Sequence, residues 1–168
     1  MKKYLILLDG PKGAGKSTLS ELLEKTLSHT EFFGIDKERN LLQRTDSITD
    51  DNERAFQAIL GKLEIAFEQS KNAVIDCGVT QKRLDTIEAL VKKYHFSLHK
   101  FSLTAPYNVL RLRVEKRDNE KGKVFNQERF DVIYKALQSK PFDDFCMIDS
   151  DKLSPQEMLE VVLSKVND

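Results

Sequence analysis

A nine-residue segment near the start of the chain has the residue types and spacing that can hold phosphate. It runs from Gly10 to Thr18 and satisfies the pattern G-x-x-x-x-G-K-[ST]. Glycines allow successive backbone N–H groups to converge on phosphate oxygens without a clash from Cβ. The start of a following helix would add a partial positive charge. The sequence therefore predicts a binding site for a nucleotide polyphosphate at this segment, which we call the phosphate loop.

The side chains of the phosphate loop are suited to different parts of a nucleoside triphosphate. Lys16 is expected to reach the β- and γ-phosphates, and the Ser17 hydroxyl is expected to bind Mg²⁺. A glycine-rich turn could match the pattern by accident, but this one lies between an apolar run and a helical pattern, as the chemistry requires. The residues expected to contact the nucleotide are Gly10, Lys12, Gly13, Ala14, Gly15, Lys16, Ser17 and Thr18.

Charged residues also follow later apolar runs. Asp36 and Arg39 form a D-x-x-R pattern after the second run, and Asp76 ends the third. The stretch 111–123 carries six basic residues against three acidic ones, a local excess of three in a chain of zero net charge. Within this stretch Arg113 and Arg117 are four residues apart and therefore share one face of a helix.

The elements that must position these residues alternate between strands and helices. Residues 4–8 are continuously apolar, which predicts a strand buried on both faces. Further short apolar runs predict strands over 32–35, 73–75, 100–103 and 145–148. Segments of helical period separate these strands. The first three helices are predicted to begin after the phosphate loop, near Asp50 or Asp51, and after Thr80. The next is predicted to have Pro106 in its first turn, and the last two to begin after Asn126 and at the capping box that starts at Ser154. This order predicts a three-layer α/β fold, a parallel sheet with helices on both faces.

Length and charge restrict the function classes. The 168 residues predict a single domain over 1–168. Lys and Arg equal Asp and Glu at 27 each, which argues against a protein that coats nucleic acid. The first apolar run is too short for a signal peptide or a membrane span. Cys77 and Cys146 offer neither a disulfide framework nor metal-ligand spacing. We expect a soluble, cytoplasmic protein without a membrane partner.

The phosphate loop, the D-x-x-R pattern, the segment 76–83 and the arginines of 111–117 together resemble one group of P-loop kinases. That group includes AAA-type ATP-binding kinases, polynucleotide 5′-kinases, zeta toxins and chloramphenicol phosphotransferase. The resemblance covers almost the whole chain. It implies a P-loop NTPase fold with a five-stranded parallel sheet in the order 2-3-1-4-5 and a helical lid, here expected over 111–125. It also implies ATP and Mg²⁺ as cofactors.

Roles for individual residues follow from this resemblance. In polynucleotide kinases the aspartate of D-x-x-R takes the proton of the attacking hydroxyl and the arginine contacts the acceptor, which implies these roles for Asp36 and Arg39. The chemistry supports this, because an alcohol needs a base and an anionic acceptor suits a guanidinium fork. Asp36 could instead only cap the segment after its strand. Asp76 could hold Mg²⁺, contact the acceptor, or be a turn residue. Arg113 and Arg117 are expected to clamp the transferred phosphate.

The expected reaction is transfer of the γ-phosphate of ATP to a hydroxyl of a small molecule, a nucleotide or a 5′-end. A long polynucleotide acceptor is not favoured, because the chain lacks a basic excess. A nucleoside monophosphate kinase is the alternative within enzymes, although residues 76–80 do not resemble the adenylate kinase stretch Gly-Phe-Pro-Arg. A nucleotide-binding regulatory module without net transfer is the alternative of another class. The sequence does not determine the oligomeric state.

Overall fold

The computed structural model of the protein describes residues 2–138 and 143–167. The strands are β1 (Tyr4–Asp9), β2 (Thr30–Gly34), β3 (Asn72–Asp76), β4 (Ser97–Thr104) and β5 (Cys146–Asp149). The helices are α1 (Lys16–Thr26), α2 (Ile35–Leu41), α3 (Ile48–Glu68), α4 (Gln81–Tyr94), α5 (Tyr107–Glu120), α6 (Gln127–Gln138) and α7 (Pro155–Asn167).

All five strands form one parallel sheet in the order β2-β3-β1-β4-β5, which confirms the predicted order. Every residue of β1 is buried, as expected for a central strand with helices on both faces. Leu8 pairs with Asp76, and Gly34 pairs with the same residue from the other side. The carboxyl ends of β1, β2 and β3 therefore meet at one edge of the sheet, where ligands bind in open α/β sheets.

Two apolar cores lie on opposite faces of the sheet. Alternate residues of β1 enter each core, because successive side chains of a strand point to opposite faces. On one face, α1 and α7 pack over Ile6 and Leu8, with Leu19 and Val162 fully buried. On the other, α3 and α4 cover Leu5 and Leu7. These layers hold β1 rigidly, and with it the start of the phosphate loop.

Side-chain caps confirm three predicted helix starts. The Thr80 hydroxyl accepts a hydrogen bond from the Arg83 amide at 3.3 Å, and Asn126 Oδ1 accepts one from the Arg129 amide at 2.8 Å. Ser154 and Glu157 form the predicted capping box, in which each side chain accepts a hydrogen bond from the other residue's amide.

Two predicted helix starts were wrong. The helix expected near Asp50 or Asp51 begins at Ile48, because Ser47 provides the cap and accepts a hydrogen bond from the Asp50 amide at 3.2 Å. Asp51 instead binds the Thr45 amide and hydroxyl through its carboxylate. Pro106 precedes α5 rather than lying in its first turn, since its ψ of 146° is extended.

The second strand also differs from its prediction. It was expected over 32–35, but it pairs with β3 from Thr30 to Gly34. Ile35 then opens the short helix α2, so the D-x-x-R pattern lies on a helix directly after the strand. Asp36 and Arg39, three residues apart, consequently share one helical face.

No helix among the described residues combines the length and apolar character that crossing a membrane requires.

Candidate functional site

The phosphate loop is pressed against neighbouring backbone at two of its glycines. Gly10 has φ of +140°, and a Cβ there would lie 2.4 Å from the Leu103 carbonyl oxygen. Gly13 has φ of +83°, and a Cβ there would lie 3.0 Å from the Leu110 carbonyl oxygen. Only glycine fits such contacts at positive φ. The loop therefore leaves the sheet against β4 and continues against α5.

Lys16 begins α1 and folds its side chain over the phosphate loop. Its Nζ donates to the Gly10 carbonyl oxygen at 2.8 Å and to the Pro11 carbonyl oxygen at 3.3 Å. Gly15, in the left-handed conformation, precedes the helix without a side-chain cap, and Ser17 in the first turn is exposed. Uncapped N–H groups, a cation and a hydroxyl thus share one helix N-terminus, the combination that binds phosphate.

Gly10→Ala is expected to lower the free energy of unfolding by roughly 2 to 5 kcal/mol, because strain at positive φ adds to a clash with backbone. Urea denaturation measures the effect. Gly61→Ala is the matched control, since a Cβ at Gly61 of α3 meets nothing within 4 Å. Alanine there should stabilise the helix by about 0.5 to 1 kcal/mol. Equal stability of Gly10→Ala and the unmodified protein would contradict the close approach to Leu103.

Three carboxylates gather at the sheet edge beside the phosphate loop. Asp9 is buried at the end of β1, and its Oδ1 accepts a hydrogen bond from the Val79 amide at 3.2 Å. Burial raises the pKa of Asp76, the Lys16 ammonium opposes this, and the charges of Asp36 and Asp9 raise the pKa further. The predicted residues Asp36, Asp76 and Lys16 are thus within electrostatic reach of one another. Such a shifted carboxyl in a cleft is typical of functional sites.

The raised pKa of Asp76 predicts a specific pH dependence of stability. Its folded-state pKa lies above the ordinary value of 3.8. Ionisation therefore costs stability, and this cost appears as the pH rises through the folded-state pKa. Asp76→Asn removes the charge, so its unfolding free energy relative to the unmodified protein should rise with pH above about pH 4 and become constant once Asp76 is ionised in the folded protein. Urea denaturation as a function of pH measures the difference. A difference that does not change with pH would refute the prediction.

Asp36 and Arg39 interact directly on α2. Arg39 Nη2 donates to Asp36 Oδ1 at 2.7 Å, and Arg39 Nη1 donates to Asn52 Oδ1 at 2.7 Å. The Asp36 side chain is 78% exposed, whereas that of Arg39 is 19% exposed. The Asp36 carboxylate is therefore accessible to a ligand from solvent, whereas Asn52 of α3 fixes the Arg39 guanidinium. Asn52 was not identified from the sequence, because a single asparagine in a helix carries no motif.

The arginines of α5 differ in what they contact. Arg113 donates to the Gly13 carbonyl oxygen at 3.3 Å and, at 3.0 and 2.9 Å, to the hydroxyl and carbonyl oxygens of Ser150. Arg117 is partly exposed and forms an ion pair with Asp118 at 3.5 Å. Arg111 pairs with Glu115 at 2.9 Å along the helix. Arg113 thus links the phosphate loop to the segment after β5, and Arg117 is the freer of the two predicted clamp residues.

Three cations interact electrostatically at the phosphate loop: Lys12 of the loop, Arg117 of α5 and Arg129 of α6. Burial lowers the pKa of Lys12, as do the nearby charges of Arg129 in α6 and Arg117 in α5, while Asp36 and Asp118 oppose the shift. The Tyr107 hydroxyl at the start of α5 donates a hydrogen bond to Asp131 of α6, so α6 lies beside the start of α5. Arg129 was missed in the sequence, because it lies beyond the basic stretch that was taken as the lid.

The side chains present fit a Mg²⁺–nucleotide complex. Among the described residues no group of three or more His, Cys, Asp or Glu side chains could enclose a metal ion. Mg²⁺ does not need such a group, since it is usually bound through one or two carboxylates, waters and the substrate phosphates. Ser17 and Asp76 supply a hydroxyl and a carboxylate on adjoining elements.

Comparison with known proteins gives one family, one curated relative and several solved structures of similar fold. Residues 6–133 match the sequence model of the AAA domain family. A cytidylate kinase from Geobacter sulfurreducens is 31% identical over 88 residues, which are 51% of this chain and 36% of that protein. The chain thus spans about a third of the length of this curated relative.

Solved structures match the fold along nearly the whole chain. A gluconokinase from Sinorhizobium meliloti superposes with a TM-score of 0.71 at 18% identity, covering 98% of this chain and 91% of that one. The tunicamycin resistance protein of Deinococcus radiodurans superposes with a TM-score of 0.70 at 20% identity, covering 98% and 96%. At these identities the likeness establishes the fold alone.

Proposed function

The chain belongs to the AAA domain family, and from that premise we propose that it is a kinase that transfers the γ-phosphate of ATP to a hydroxyl group. The observation that carries the proposal is the position of Asp36. Its charge acts on Lys12 of the phosphate loop and on Asp76 at the end of β3. An exposed carboxylate with its own arginine beside a phosphate loop is what a hydroxyl acceptor requires.

In the proposed reaction Asp36 accepts the proton of the acceptor hydroxyl as that oxygen attacks the γ-phosphorus. The bond to the bridging β–γ oxygen breaks, and ADP leaves with the electron pair. Lys16 and the loop amides hold the phosphates, and Arg117, with Lys12 and Arg129, balances charge on the transferred group. Ser17 and Asp76 would hold Mg²⁺, which would supply further neutralisation of the phosphates.

Arg113 has a different place in this proposal from the other predicted clamp residue. Its hydrogen bonds to Gly13 and Ser150 keep α5, the phosphate loop and the segment after β5 together. We assign it the support of the bound donor, while Arg117 faces the transferred phosphate. Residues 111–125 comprise all of α5 after its first turn and the segment that follows it, and they act as the lid that excludes water.

The acceptor proposed is a small molecule or a nucleotide. The names of the relatives, a cytidylate kinase and a gluconokinase, describe kinases of small acceptors. Arg39 beside Asp36 suits an acceptor that carries an anionic group close to its hydroxyl. A nucleoside monophosphate kinase remains the second candidate, favoured by the partial match to the cytidylate kinase. In that case Arg39 would hold the acceptor's phosphate and Asp36 would not need to accept a proton.

The test is transfer of label from γ-labelled ATP, with Mg²⁺, to a panel of acceptors. The panel contains 5′-hydroxyl RNA and DNA oligonucleotides, nucleosides, nucleoside monophosphates, nucleotide sugars, gluconate and small neutral alcohols. Label on a hydroxyl acceptor supports the proposal. Label only on monophosphates selects the second candidate. ATP binding with no labelled product would contradict kinase activity and favour a nucleotide-binding regulatory module.

A further inference from the structure

The predicted acceptor residues are held in place by a chain of contacts that reaches across three helices. Asp36 and Arg39 lie on α2, Asn52 on α3 and Arg83 on α4. Arg39 donates to the Asn52 side-chain oxygen at 2.7 Å, and Arg83 Nη2 donates to the Asn52 main-chain oxygen at 3.3 Å. Asn52 therefore receives both guanidinium groups, one on its side chain and one on its backbone.

Arg83 is occupied by protein groups rather than being a solvated arginine at the start of a helix. Its Nη1 donates to the Gly78 carbonyl oxygen at 2.9 Å, and its Nη2 is 3.7 Å from a Glu53 carboxylate oxygen. The guanidinium carbon lies 4.8 Å from the centre of the Phe56 ring, and the side chain is 13% exposed. These contacts join the segment after β3 to the first turns of α3.

Arg39 is fixed by two oxygens but is not fully satisfied. Its Nε is buried and has no hydrogen-bond partner among the residues that the structure describes. A buried N–H without an acceptor destabilises the folded protein, so the surroundings must hold the guanidinium in this position. Asn52 is the uncharged member of those surroundings. Its side-chain oxygen orients the Arg39 guanidinium, and Asp36 stays the carboxylate with which Arg39 forms its ion pair.

We propose that Asn52 and Arg83 are positioning residues for the phosphate acceptor, in that Arg83 anchors Asn52 and Asn52 orients the Arg39–Asp36 pair. This inference rests on the proposed kinase function, since it assigns the pair to the acceptor. Neither residue touches the acceptor. Small misplacements of groups that hold a reactant slow a reaction by up to about 10²-fold, so loss of either contact should reduce transfer.

The test compares Asn52→Leu, Asn52→Asp and Arg83→Lys with Gln69→Leu as the matched control. Gln69 is an exposed amide at the C-terminal end of the same helix. Hydrogen exchange of the Arg39 Nε–H, followed by ¹⁵N NMR, reports the order of the guanidinium without any acceptor. Label transfer from γ-labelled ATP to the panel above, ATP affinity by calorimetry, and thermal unfolding complete the measurements.

We expect Asn52→Leu to accelerate Arg39 Nε–H exchange and to slow label transfer, each by about tenfold or more, while ATP affinity stays within about twofold. Arg83→Lys should act in the same direction but less strongly. Asn52→Asp should retain most of the activity, because its carboxylate still accepts the bond from Arg39. Gln69→Leu should change none of these quantities.

Two results would overturn the proposal. One is slow exchange at Arg39 in Asn52→Leu, and the other is a loss of ATP affinity as large as the loss of transfer. If the unmodified protein labels no acceptor, the proposed function fails, and the acceptor role of these residues fails with it. The exchange rates would still show in that case whether Asn52 orders Arg39, so the two failures are distinguishable.

Discussion

Lys16→Met should reduce label transfer by roughly 10²- to 10³-fold, the loss expected when a donor to the transferred phosphate is removed. The Lys16 Nζ donates to the carbonyl oxygens of Gly10 and Pro11 in the phosphate loop. The ammonium group is therefore already placed where the phosphates enter. Methionine keeps most of the length of the side chain but removes the charge and all three N–H donors.

Transfer kinetics and ATP calorimetry measure this loss, and thermal unfolding checks that the fold survives. Lys25→Met is the matched control, because Lys25 lies on the same helix, is exposed and is remote in sequence from the phosphate loop. Transfer at the unmodified rate by Lys16→Met would contradict the assignment of the loop as the donor site. Equal loss in both variants would indicate that general charge, rather than the position of Lys16, matters.

Asp36→Asn should lower the rate of transfer to a hydroxyl acceptor by about 10²- to 10⁴-fold, the usual contribution of a general base. The amide cannot accept a proton, although its oxygen can still receive the hydrogen bond from Arg39 that Asp36 Oδ1 receives at 2.7 Å. ATP affinity should be nearly unchanged.

Asp46→Asn, an exposed aspartate before α3, is the control for Asp36→Asn and should transfer label at the unmodified rate. ATP affinity separates a base from a residue that only shapes the site, because a general change of shape would weaken ATP binding as well. Normal transfer by Asp36→Asn would exclude the general-base role. That result would favour a nucleoside monophosphate kinase.

The sequence predicted the features that are set by local chemistry. Continuous apolar residues in β1 can only be buried on both faces, and the glycines of the phosphate loop are required by contacts as close as 2.4 Å. The caps at Thr80, Asn126 and Ser154 are likewise local, since each side chain binds an amide within three residues. The order of the strands came from the resemblance to P-loop kinases and was confirmed.

Features that depend on distant residues were not predictable. One local feature was missed as well: Ser47 caps α3 by accepting from the Asp50 amide, whereas the Asp51 carboxylate binds the Thr45 amide. The contacts of Asn52 and Arg83 join residues 31 positions apart, and no local pattern marks such a pair. Arg129 approaches Lys12 only because α6 lies against the start of α5.

The hydrogen bonds of Arg113 determine the shortest part of the chain in which the phosphate loop would keep its contacts. Arg113 is held by Gly13 on one side and by Ser150 on the other, and Ser150 also donates to the Thr104 carbonyl oxygen at 3.1 Å. The Met158 methyl carbon would lie 3.6 Å from a Cβ at Gly15. A gene shortened after α6 would keep every residue of the phosphate loop and lose the partners that hold it. Recombination that moves this loop into another protein must therefore carry β5 and α7 with it.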